Sequence, residues 1–80
     1  MITQRDQPLN THARLLLQLS RIHAGLTVKE AARRSGYGAT KWKHVETGHL
    51  SPDKEMLGRM AEVVDLELTV AAGILTLRRR

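Results

Sequence analysis

The side chains able to ligate a metal, attack a carbonyl or move a proton are few in this chain, and none is arranged for that work. It has four histidines and no cysteine. His44 and His49 are five residues apart across an expected helix end, and His12 and His23 are eleven apart. Neither spacing sets two ligands on one helix face, and no carboxylate completes a cluster, so no metal and no cofactor is expected. There is no Ser/His/Asp set and no phosphate-cradling glycine loop. Glu30 and Glu46 have structural explanations, given below. The chain reads as a non-enzyme.

What remains is charge. Thirteen Lys and Arg stand against eight Asp and Glu, a formal +5, with a sequence pI near 10.5. That balance favours a polyanionic partner, nucleic acid first, although a net charge of this size also serves solubility alone. Two aromatics, Tyr37 and Trp42, are too few for the base-stacking surfaces of single-strand binders. No stretch approaches the roughly 18 apolar residues of a membrane helix. The absence of cysteine and of a targeting segment at the N-terminus fits the cytoplasm.

Eighty residues make one domain, small enough that oligomerisation is a usual remedy for a limited core. Residues 1–9 read as a flexible N-terminal arm, 10–77 as the folded domain, and 78–80 as a basic tail that is either solvated or in contact with phosphates. Five helix-length pieces follow one another. Asn10 caps a first helix, Thr11 to His23, whose apolar stripe of Ala13, Leu16, Leu17, Ser20 and Ala24 is widened by Leu15, Leu19 and Ile22, with Gly25 closing it. Thr27-Val28-Lys29-Glu30 is a capping box opening a second, two-turn helix that stops at Ser35-Gly36. A third runs from about Ala39 to Thr47, with Trp42 and Val45 on one face and Gly48 at its end. Pro52 introduces a fourth, about Asp53 to Val64, in which Gly58 admits the close approach of another helix. The last piece, Leu68 to about Leu77, reads as a fifth helix. The alternation Leu66-Glu67-Leu68-Thr69-Val70 has strand character, but no second strand is evident to pair with it.

Two short helices joined by a glycine-containing turn, Thr27 to Gly48, are the sequence form of a helix-turn-helix. Thr27-Val28-Lys29-Glu30-Ala31-Ala32, Gly36, Val45-Glu46-Thr47-Gly48 and Pro52, in this order and spacing, resemble the lambda-repressor-like (Cro/C1-type, XRE-like) helix-turn-helix family, over about Leu16 to Ile74. The resemblance implies an all-α, five-helix DNA-binding domain that acts as a homodimer, a prokaryotic or phage transcriptional regulator whose third helix enters the major groove. It implies base-reading positions at Ala39, Thr40, Lys43 and His44, and phosphate contacts from Thr27, Lys29, Gly38, Lys41, Thr47 and Lys54. It also implies a pair between Arg21 and Glu46 that ties the third helix to the first. The outward residues would equally form a solvated helix face.

Several positions depart from the family pattern. Val28 stands where a phosphate-contacting Gln is common, Gly38 where a polar cap is usual, and Thr47 where Asn precedes the closing glycine. Trp42 occupies a core position that normally holds Ile or Val, and the small Ala31 and Ser35 leave the volume for it. The apolar last segment, with Val70, Ile74 and Leu77, is expected to form the dimer interface. Its rival role is to hold another protein, as an antitoxin or anti-repressor adaptor would, with DNA secondary. A nonspecific nucleoid or RNA binder is the third class.

Overall fold

The computed structural model describes residues 9–80: four helices followed by a β-hairpin. Residues 1–8 of the expected arm lie outside the described residues. Leu9, the arm's last residue, is buried in the core.

The helices start and stop where local chemistry dictates. α1 spans Thr11–His23, and the Asn10 side chain accepts from the Ala13 N–H at 2.8 Å. α2 spans Val28–Ser35 behind a complete Thr27/Glu30 capping box. α3 spans Ala39–Thr47, and α4 spans Lys54–Val63 with Asp53 accepting from the Met56 N–H at 2.8 Å. α2 and α3 pack on each other, α1 supports α3, and α4 backs α2. The core between them is built on Ala13, Leu17, Trp42, Val45, Leu57 and Met60, all fully buried.

The expected fifth helix is absent, and a hairpin stands in its place. β1, Leu66–Ala71, pairs antiparallel with β2, Ile74–Arg79, in the register Leu68↔Leu77 and Thr69↔Thr76. The alternation at Leu66-Glu67-Leu68-Thr69-Val70 is a strand signal after all. Its partner follows a two-residue turn, Ala72-Gly73, with Leu75 and Leu77 alternating with Thr76 and Arg78. Both turn residues have positive φ, Ala72 at 53° and Gly73 at 77°, the conformation whose twist matches paired strands. Ala-Gly is a weaker advertisement for that turn than Asn-Gly, so the sequence pattern passes for helix.

The hairpin turns Leu66 and Leu77 into the core, both 2% exposed. Its other face carries the Glu67–Arg78 pair at 2.6 Å. That bond, and the arginine's charge, hold the Glu67 carboxyl below its ordinary range and raise the Arg78 guanidinium. The basic tail is therefore structured: Arg78 and Arg79 belong to β2, and Arg80 donates to the Leu66 carbonyl at 3.3 Å. Gly58 does admit a close neighbour, but it is β1. A Cβ there would lie 3.7 Å from Leu68 Cδ2.

Candidate nucleic-acid interface

α3 is a two-sided helix. Trp42 and Val45 point inward and are fully buried, and Ala39, Thr40, Lys41, Lys43, His44 and Thr47 are exposed. With 3.6 residues per turn, Thr40, Lys43, His44 and Thr47 share the side opposite Trp42, and Lys41 lies at its flank. The helix begins at Gly38 without a side-chain cap and ends at Gly48, whose φ is 86°.

Two features fix the orientation of this face. The turn from α2 is closed by Gly36 in the left-handed region, by the Tyr37 N–H donating to the Ala32 carbonyl at 3.1 Å, and by the buried Ser35 hydroxyl donating to the same carbonyl at 2.8 Å. The second feature is Glu46. It accepts from Arg21 Nε at 2.7 Å and from Nη2 at 3.2 Å, a two-pronged bond between side chains only 11% and 5% exposed. Arg21 Nη1 continues to the Leu26 carbonyl at 2.9 Å. The same carboxylate accepts the Trp42 indole N–H. One acid thus joins α1 to α3 and satisfies the one polar atom of the largest core side chain, as a buried indole requires. The Trp42 bond was not anticipated, and the i to i+4 spacing of Trp42 and Glu46 is the sequence signal that points to it. Ala31, Ser35 and Trp42 are all buried at this packing, in keeping with small residues making room for the indole.

A second tie was also missed. Arg14 donates to the Leu9 carbonyl and to the Thr11 hydroxyl, both at 3.0 Å, and lays its guanidinium over Gly48. A Cβ at Gly48 would stand 2.8 Å from Arg14 Nη1.

The expected phosphate contacts divide into two groups. Lys29, Lys41 and Lys54 are exposed and carry no ion pair among the described residues. The hydroxyls of Thr27 and Thr47 are already engaged. Thr27 Oγ1 accepts from the Glu30 N–H at 3.1 Å, and Thr47 Oγ1 donates to the Lys43 carbonyl at 3.0 Å. His49, absent from the expected set, lies beside α3. Its Nδ1 is 2.8 Å from Thr47 Oγ1, and its ring centroid is 5.8 Å from that of His44. Among the described residues, no third ligand joins this pair to make a metal site. Of the expected dimer contacts, Val70 and Ile74 are exposed, but Leu77 is a core residue and cannot serve.

Charge is distributed unevenly. Between residues 9 and 49, seven Lys and Arg face two carboxylates, Glu30 and Glu46, whereas residues 50–80 carry five of each sign. Both acids of the first part are turned to internal bonds. Glu30 is held below the ordinary carboxylate range first by the Thr27 backbone N–H, then by the Thr27 hydroxyl, with Arg34 and Arg33 adding their charge. The helix-turn-helix half is therefore the basic half.

The model of one protein family, described as a helix-turn-helix domain, matches residues 13–72, from the first turn of α1 to the hairpin turn. No curated protein matches the chain. No helix among the described residues is long and apolar enough to cross a membrane.

Proposed function

The chain belongs to the helix-turn-helix domain family, and from that premise we propose that it is a sequence-specific double-stranded DNA-binding transcriptional regulator, a repressor working as a homodimer in the cytoplasm on the nucleoid. One observation carries the proposal: the outer side of α3 presents Thr40, Lys43 and His44 to solvent with its inner side clamped by Trp42, Val45 and Glu46. A rigid helix with donors on its free face fits the major groove, where guanine offers N7 and O6 as acceptors and thymine a methyl group. Lys43 and His44 are the donors to guanine. Thr40 suits a thymine methyl, and Ala39 lies close enough to the helix start to touch a base edge. Lys29, Lys41 and Lys54, with the Gly38 backbone N–H, hold phosphates and supply affinity by releasing counterions.

In a homodimer two copies of α3 would sit about 34 Å apart, one turn of duplex, on an inverted repeat. The exposed Val70 and Ile74 flank the hairpin turn on opposite faces of the two strands, and a contact between copies through the hairpin tip would take in both. Selection of bound duplexes from a random pool tests the proposal. An enriched inverted repeat is expected. Lys43→Ala with His44→Ala should relax base preference within each half-site. Enrichment of no sequence at all would reject the regulator in favour of a nonspecific binder.

A further inference from the structure

Leu15, Leu19 and Ile22 do not widen the core stripe of α1. They face away from it, 51, 57 and 55% exposed, while Ala13 and Leu17 of the same helix are fully buried. Steps of four and three residues set these side chains in one line along the helix, the spacing of a coiled-coil seam. Single exposed leucines are ordinary, but a contiguous aliphatic line on the outer side of a helix marks an interaction site.

We infer that this line is a homotypic contact, on which α1 of a second copy lies antiparallel. Two features select a second copy. First, the line is self-complementary: about a two-fold axis at Leu19, the Leu19 of one copy meets the Leu19 of the other, and Leu15 meets Ile22, as an isologous interface demands. Second, no Asp, Glu, Lys or Arg of α1 lies on the strip. α1 contains no carboxylate. Its two arginines are occupied within the fold, Arg21 by Glu46 and Arg14 by the Leu9 carbonyl and Thr11. Its flanking residues are His12, Gln18 and His23. A charged partner finds no complement there, whereas two chains of net +5 meet where their charges are not opposed.

The area is small. Three half-exposed aliphatic side chains offer far less than the ~800 Å² per partner of a lasting complex. Such a contact is weak between free chains and takes effect where copies are already held close together. Neighbouring sites on one duplex are such a place. That last step rests on the DNA-binding reading; the contact itself does not.

The chain has no cysteine, so single thiols report the contact directly. The full chain is prepared as Leu19→Cys, Leu15→Cys and Ile22→Cys, with Glu62→Cys on the exposed side of α4 as reference. Each is verified as folded by circular dichroism and treated with a short bis-maleimide in the absence of DNA, at a chain concentration of about 1 mM, where even a weak contact between free chains is populated. Leu19→Cys is expected to link to itself at least about ten-fold faster than the Glu62→Cys reference, because contact raises effective concentration. Leu15→Cys and Ile22→Cys should link to each other in a mixture faster than either links to itself. A Leu19→Cys rate equal to the reference overturns the contact and leaves the line to a different protein. Self-linking of Leu15→Cys that outpaces the mixture overturns the antiparallel register. Since no DNA is present, failure of the regulator reading would leave these rates unchanged.

Discussion

Replacing Glu46 by Ala is the sharpest test of how the recognition face is held. The carboxylate is 5% exposed and bonds both prongs of a guanidinium that is itself 11% exposed. Breaking one side of a buried pair costs about 3–5 kcal/mol, because the remaining charge is stranded in a poor solvent. The Trp42 indole N–H loses its acceptor as well, a penalty of about 1–3 kcal/mol when nothing replaces it. The two losses share one carboxylate and do not add in full. Arg21 also keeps its bond to the Leu26 carbonyl at 2.9 Å, so the total should lie near 3 kcal/mol. In a domain of this size about 1 kcal/mol moves Tm by roughly 4–8 °C, giving a fall of about 12–24 °C.

The assay is urea unfolding followed by the fluorescence of Trp42, the single tryptophan, with thermal melts by circular dichroism. Replacing both partners by Met removes the stranded charge and should recover at least half of the loss. DNA affinity should fall with the slope of log K against log salt unchanged, since Glu46 touches no phosphate. A Glu46→Ala protein within about 0.5 kcal/mol of the parent would refute the reasoning, because that is the range of an ordinary surface substitution.

Gly48→Ala should destabilise by about 1–3 kcal/mol in the same unfolding assay, since its φ of 86° strains an L residue; the new Cβ would also displace the Arg14 guanidinium. Lys41→Ala should weaken binding to all duplexes alike and reduce the salt slope by about one counterion, as titrations between about 50 and 200 mM salt would show. An altered sequence preference would instead make Lys41 a base reader. Acid stability should respond to Glu30, whose folded pKa lies below its ordinary 4.5 because of the Thr27 backbone N–H, the Thr27 hydroxyl and the nearby arginines. A depressed carboxylate stabilises the fold above its unfolded pKa, and the contribution disappears as pH falls through the folded value. Glu30→Gln should therefore lower Tm at neutral pH and converge with the parent below the folded pKa; parallel curves throughout would remove the capping box from the account.

The four helices were legible because their signals are local. Asn10, the Thr27/Glu30 capping box and Asp53 act within three residues of themselves, and their bonds form as the local sequence predicts. The Arg21–Glu46 pair became visible only through resemblance, since no local rule joins residues 25 apart. The hairpin was not legible. A strand needs its partner to satisfy its backbone, and the partner was hidden behind an Ala-Gly turn, whose positive φ values are those a two-residue hairpin requires once packing brings the strands together. The same packing decided which apolar residues serve the core and which face outward. Leu77 and Leu15 are equally hydrophobic as letters, yet one is sealed in the core and the other is half exposed. The chain alone determined where its helices begin and end and where its basic half lies, because capping and charge are written residue by residue. Only the folded molecule decided strand or helix at the C-terminus and buried or exposed along α1, because those outcomes depend on what the rest of the chain brings alongside.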